Sequence, residues 1–369
     1  CSSDLILCVL QKARSQDKNS WTLSRRRKCA SGCWCTDGRL FGKTRSGCGD
    51  YLSIFSACPV MMALTDFSVP VPHNGYRWWY LDALSDDARY GIAIIGFVGS
   101  VFSPYYFSAR KKAAANPEDF CSLNVCLYGE TGHKWCMTER AKRHLTRIPT
   151  QFKIGPSSMS WEDGVLVIRI DEITVPFPSR VRGEIRLSPR VISQDVIPLD
   201  PLAHHHWRPV APVADIEAHF ETPKISWRGV GYHDMNWGAR PLEVDFSSWV
   251  WSRAALGDHA HIVYDRVMRD GSKSGFALRI GADGQSQSIS IPKNIELGTA
   301  FWRMKRPAHA DQKIENIKTL EDAPFYTRSL FHTQIADEKV AVFHESLSLE
   351  RFTNPIIQKM LPFKMPRRR

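Results

Sequence analysis

The chain has 369 residues, a formal net charge of +11, and 12 Trp and 18 Phe. That length is enough for two domains of ordinary size. It holds no apolar run near the ~20 residues that a helix needs to cross a bilayer, so an integral helical protein is excluded and a soluble or peripheral one is expected. The best candidate run, GIAIIGFVGSVF at 91–102, reads as a buried strand pair with its turn.

The charge is uneven. Residues 1–61 hold ten Lys/Arg and four Asp, which places +6 there and leaves +5 for the rest. A basic balance admits nucleic acid or an anionic membrane surface as partner, but here half of it belongs to a segment unlike the remainder. Seven of the ten cysteines fall in that segment: Cys1, Cys8, Cys29, Cys33, Cys35, Cys48 and Cys58. A zinc module on Cys29, Cys33 and Cys35, or a disulfide knot, would be the chemical readings. Neither has the paired C-x-x-C spacing usual for structural zinc. A secretory signal fits poorly, because Arg25–Lys28 follows the apolar stretch instead of preceding it. Residues 1–61 are therefore read as a disordered or non-native extension upstream of a start at Met62.

Beyond Met62 the pattern is strand, turn, strand. Expected strands run over 76–84, 90–99, 121–128, 134–139, 151–154, 158–161, 165–170 and 181–187, each bounded by Gly, Pro or Asp. Residues 105–117 read as a short helix or mobile loop, and the Pro- and His-rich stretch 198–212 as a connection. Strands resume at 215–220, 227–240, 242–253, 259–268, 275–280, 286–291, 299–304, 325–334 and 340–349. The tail at 356–369 is apolar and basic. Many short strands at this spacing indicate an all-β fold. The simplest architecture is two tandem barrels, 62–240 and 241–369, behind an irregular N-terminal extension at 1–61.

One stretch stands out, WRGVGYHDMNWGAR at 227–240. Alternation along a strand puts Tyr232, Asp234 and Asn236 on one face and His233, Met235 and Trp237 on the other. A carboxyl group between a phenol and an amide, close to several tryptophans, suits acid chemistry. The plainer reading is a turn in which Asp and Asn satisfy backbone groups. His204, His205 and His206 are consecutive and cannot all converge on one ion from an extended chain, so at most two would ligate a metal; a polar loop, or one functional His among the three, is the expected reading. His259 and His261 share a face without a third ligand nearby, and no metal site is expected. Trp79, Trp249 and Trp251 are candidates for lining a barrel around a long apolar ligand, with ordinary core as the alternative. No glycine-rich phosphate loop and no GxSxG elbow is present, so any chemistry would be acid–base.

Several blocks, in order, resemble the acyclic carotenoid 1,2-hydratases (hydroxyneurosporene synthases) of phototrophic bacteria. They are GYRWWYLDALSDD (75–87), FVGSVFSPYY (97–106), LNVCLYG (123–129), MTER (137–140), HHWRPVAP (205–212), GYHDMNWGARPLE (231–243) and WVWSR (249–253). The resemblance spans about 67–352. It implies a lipocalin-like fold and a cofactor-free hydro-lyase that adds water across the terminal carbon 1–carbon 2 double bond of a linear carotene such as neurosporene or lycopene. It implies Asp234 as general acid, Tyr232 and Trp207 shaping the pocket and stabilising the cation, and His205 orienting Asp234 or water. Asn236 joins them from strand phase, and Trp79, Trp249 and Trp251 as substrate-binding rings. The expected setting is the cytoplasmic side of a photosynthetic inner membrane, with peripheral attachment through the 356–369 tail. A non-catalytic lipid- or carotenoid-binding barrel is the alternative, since fold does not fix function. A nucleic-acid binder is a third possibility, raised by the charge alone.

Overall fold

The computed structural model describes residues 65–129 and 132–368. The extension at 1–61 and the start at Met62 lie outside the described residues. The expected all-β class is met. Pairing follows two large sheets, one of 14 strands and one of 7, with a two-stranded ribbon beside them. The larger sheet curls about its own apolar core. Neither pairing order closes on itself, so the chain forms two open, curved sheets and not two closed barrels.

At the middle of the larger sheet lies Tyr76–Ser85, flanked by Gly91–Val98 and Ile225–Gly238. Ile225–Gly238 in turn pairs with His205–Thr222, forming a hairpin of 18 and 14 residues. Part of that hairpin falls in the stretch expected to be a connection. The prolines misled that reading. Pro lacks a backbone N–H and is tolerated in a strand where the ladder is interrupted. The register shifts twice here, between Arg208 and Ala211 and between Ala211 and Ala214, which brackets Pro209 and Pro212. Glycine has a local role at Gly229, where a Cβ would sit 1.9 Å from the Leu84 carbonyl oxygen. Only glycine lets the two strands approach so closely.

The smaller sheet holds Phe246–Leu256, His259–Met268, Lys273–Ile280, Tyr326–Ile335 and Glu338–Ser348, all antiparallel. Two readings fail here. Residues 299–304 form no strand, and Glu315–Asp322 is a strand that polar composition hid. Residues 242–245 are a short helix preceding the strand. The tail folds as the helix Pro355–Met360 and ends in Arg367–Arg368, which pairs parallel to Glu139–Arg140.

Tyr76–Ser85 is buried on both faces. Trp79, Leu81 and Ala83 point into the larger sheet's own core with Phe152, Ile168 and Met235. Tyr76, Trp78 and Tyr80 point into a second core shared with Trp249, Trp251, Tyr264 and Phe343 of the smaller sheet. That shared seam is not wholly apolar. Arg253 of the smaller sheet pairs with buried Asp82 of the larger. Tyr80 Oη lies 3.0 Å from Glu345 Oε1, and Arg328 Nη1 donates to Tyr128 Oη at 2.6 Å. Apolar packing alone tolerates sliding, whereas these directional links fix how the sheets face one another.

Arg253→Met is expected to cost about 3–5 kcal/mol, because it leaves the Asp82 charge buried without its cation. Burial already pushes the Asp82 carboxyl up, and Arg253 opposes that push. Without Arg253 the folded state holds the Asp82 proton more tightly than the unfolded chain does. The variant's stability therefore falls as pH rises. Urea unfolding at pH 5 and pH 8 should show the larger deficit at pH 8.

Candidate active site

Four strands bring the site together. Tyr232, Asp234 and Asn236 come from one strand and Trp207 from its hairpin partner. Tyr80 and Asp82 come from the strand on the other side, and Trp249, Trp251 and Arg253 from the facing sheet. Trp207 lies opposite Asn236, which makes Asp234 its diagonal neighbour on the same face, within reach of a long side chain.

Asp234 is buried, and its two oxygens are treated differently. Oδ2 accepts two hydrogen bonds, from Trp207 Nε1 at 2.8 Å and from Tyr232 Oη at 2.7 Å. Oδ1 is buried and has no partner among the described residues. An ionised carboxylate with a bare buried oxygen is expensive, whereas a carboxylic acid can hold its proton there. Burial pushes the Asp234 carboxyl up to about 8. The bonds from Trp207 and Tyr232 pull the other way, and the nearby charges of Glu345 and Asp82 add to the rise. At neutral pH the group is mostly a neutral acid whose proton sits on the oxygen that nothing else holds.

Its surroundings are aromatic. The Trp251 ring lies 5.3 Å from Tyr232 and 5.5 Å from Tyr80, and Trp207 lies 5.4 Å from Tyr264. Trp249 packs between Trp78 and Tyr264, each at 6.1 Å. The enclosure is buried throughout: Trp207 and Tyr232 are 0 % exposed and Asp234 5 %. Asn236 Nδ2 donates weakly to Tyr264 Oη at 3.4 Å.

A second Tyr–Asp couple mirrors the first. Tyr80 Oη donates to Asp82 Oδ2 at 2.8 Å, as Tyr232 does to Asp234. The two couples lie on adjacent antiparallel strands, Tyr80 opposite Asp234 and Asp82 opposite Tyr232. Asp82 has Arg253 beside it, whereas the partners of Asp234 among the described residues are the neutral donors Trp207 and Tyr232. Tyr80, Asp82, Arg253, Glu345 and Tyr264 were not singled out from sequence. The available signal was the Tyr-x-Asp spacing, present at both 80–82 and 232–234.

Two expected residues stand elsewhere. His205 does not orient Asp234: Tyr76 Oη donates to its Nδ1 at 3.0 Å and its Nε2 donates to Asp245 Oδ2 at 2.8 Å. Burial lowers its pKa against the pull of Asp245, in keeping with a neutral ring whose tautomer follows from those partners. It braces the strand start against the 242–245 turn. Trp79 faces the other core, 4.8 Å from Phe67 and 5.5 Å from Phe152. The reason is strand phase, since alternation gives the site face to Trp78 and Tyr80.

A cavity of about 380 Å3 opens nearby, lined by Ile95, Phe102, Trp302, Phe325, Tyr326 and the 360–365 tail, among others. Ile95 lies opposite Tyr80 in the neighbouring strand, and lining residue Arg328 donates from Nε to Glu345 at 2.8 Å. Two lining residues, Ile95 and Arg328, therefore neighbour the Tyr80–Glu345 pair, which does not itself line the cavity. Among the described residues no cluster of three His, Cys, Asp or Glu side chains suits a metal ion.

Residues 94–369 match the family described as carotenoid hydratase CrtC. The chain is 45 % identical over 304 residues to an acyclic carotenoid 1,2-hydratase of Thiocapsa roseopersicina, covering 82 % of this chain and 75 % of that one. It is 41 % identical over 308 residues to the enzyme of the same name from Rubrivivax gelatinosus, at 82 % and 76 % coverage. The counterpart from Cereibacter sphaeroides is 38 % identical over 279 residues, with 74 % of this chain and 98 % of that one covered. Among solved structures, AttH from Nitrosomonas europaea superposes with a TM-score of 0.54 at 14 % identity, over 83 % of this chain and 98 % of that one. That likeness speaks to the fold alone.

An infrared difference titration between wild type and Asp234→Asn should isolate a protonated carboxyl band that is present at pH 7 and fades as pH rises through about 8. A band already gone at pH 5 would mean that Asp234 ionises like a surface carboxylate.

Proposed function

Because the chain belongs to the carotenoid hydratase family, we propose that it hydrates the terminal carbon 1–carbon 2 double bond of an acyclic carotene, with Asp234 as the acid. The observation that carries this reading is the buried, unpartnered Oδ1 of Asp234 inside an aromatic enclosure, with Oδ2 held by Trp207 and Tyr232 and burial pushing the carboxyl up to about 8.

An isolated alkene is a weak base and needs a positioned proton donor. Asp234 transfers its proton to carbon 2, which leaves a tertiary cation at carbon 1 and a carboxylate in the protein. Both charges are met locally. The carboxylate keeps the bonds from Trp207 and Tyr232, which strengthen as their acceptor becomes charged. The cation faces the rings of Tyr80, Tyr232, Trp251 and Trp207, each able to contribute ~0.5–2 kcal/mol. Water adds to carbon 1, and the proton it sheds returns to Asp234, so the acid is regenerated and no cofactor is consumed. The polyene shaft occupies the cavity beyond Tyr80, and Asn236 and Trp249 bound the far side of the reacting end. A carotene is insoluble in water, so the substrate is drawn from a bilayer and the enzyme works peripherally at the membrane face. Among the described residues no helix is long and apolar enough to cross a membrane.

The test is hydration of lycopene or neurosporene supplied in membranes, with products separated by chromatography. Asp234→Asn should lose ~10²–10⁴-fold in rate while remaining folded. Carotene bound but recovered unchanged by the wild type would leave only a binding protein. The pH profile should fall as pH rises through about 8, because the reactive form is the protonated one. Tyr232→Phe removes a bond that stabilises the carboxylate, so its alkaline limb should move upward and its rate should drop ~10–100-fold.

A further inference from the structure

The 355–368 tail has two working faces. Inwardly, Met360, Leu361, Phe363, Lys364 and Met365 wall the apolar cavity. Its end is tied down by strand pairing of Arg367–Arg368 with Glu139–Arg140, and by the Arg367–Glu139 ion pair. Outwardly, Ile356 is 71 % exposed and Phe363 76 %. Across the cavity, Trp302 lines the same space, and the adjacent Phe301 is 85 % exposed, its ring 5.4 Å from Trp302. Arg351 Nη2, just before the tail, donates to the Trp302 carbonyl at 3.0 Å and joins the two segments. Exposed apolar side chains thus gather at one mouth.

The charges in these segments are of one sign. Residues 299–306 and 355–368 contain no Asp or Glu. Arg303, Lys305, Lys359, Lys364 and Arg368 are exposed. Of the acids nearby, Glu139 is paired with Arg367, Glu321 is engaged with Lys364 Nζ at 3.6 Å, Asp322 lies in the cavity wall, and Glu350 is exposed beside Arg351. Protruding apolar side chains within a ring of cations match a bilayer with anionic headgroups, where rings and aliphatics enter the interface and cations meet phosphate.

We propose that the 299–306 loop and the 355–368 tail form a docking rim for an anionic lipid bilayer, set around the mouth of the cavity so that an apolar substrate passes from membrane to site without crossing water. The entry step rests on the hydratase reading, but the docking does not. Ile356 and Phe301 lie outside the cavity lining and in solvent, so serine at both positions leaves the fold and the chemistry in place.

Full-length protein is sedimented with vesicles of phosphatidylcholine containing phosphatidylglycerol, and with phosphatidylcholine alone. Wild type should bind the anionic vesicles and release as salt rises, and Ile356→Ser/Phe301→Ser should bind at least ~10-fold more weakly. The double variant should hydrate detergent-dissolved carotene at the wild-type rate and vesicle-borne carotene at least ~10-fold more slowly. Equal vesicle binding by wild type and double variant, or no binding by either, overturns the docking rim. Equal turnover of vesicle-borne carotene overturns the entry route. Wild type that binds vesicles yet hydrates nothing, even in detergent, counts against the hydratase reading and leaves the rim standing.

Discussion

Carboxyl groups rarely survive inside an aromatic core, because taking the ionised form out of water costs several kcal/mol. This protein places two of them, Asp82 and Asp234, in one seam between two sheets, on adjacent strands, each with a tyrosine two residues before it. The seam resolves the cost in two ways. Asp82 receives the guanidinium of Arg253 and serves as a strut between sheets. Asp234 receives neutral donors on one oxygen and none on the other, and burial pushes its carboxyl up to about 8. The same side chain at the same depth becomes an anion or an acid according to whether a cation stands beside it, which is how paired carboxyls acquire different roles.

That division depends on the central strand Tyr76–Ser85 being buried on both faces. Its odd face, with Trp79 and Leu81, closes the larger sheet's core so fully that the strand cannot shift. Its even face, with Trp78 and Tyr80, is thereby held in the core shared with the smaller sheet. A one-residue slip would exchange the two faces, so packing on one side fixes the chemistry on the other. His205 belongs to this framework: held between Tyr76 and Asp245, it secures the start of the strand that carries Trp207.

The buried carboxyl of Asp234 and the neighbouring cavity come from distant parts of the chain. The acid sits on the long hairpin, while the cavity wall is completed by the last residues described.

The sequence by itself determined the all-β class, most strand positions, the face shared by Tyr232, Asp234 and Asn236, and the family. These follow from period-two alternation, turn residues and local motifs, all encoded over a few residues. It did not yield the long strand through Pro209 and Pro212, because a ladder interruption can only be judged against the partner strand. Nor did it separate Trp78 from Trp79, or His205 from the site, since each assignment depends on which neighbour a strand meets. Above all, the neutral state of Asp234 was decided by tertiary structure. Tyr232 is two positions from Asp234, but the second donor on Oδ2, Trp207, is 27 positions away and the cation given to Asp82 is 171 positions from it, brought together only by the folded sheets.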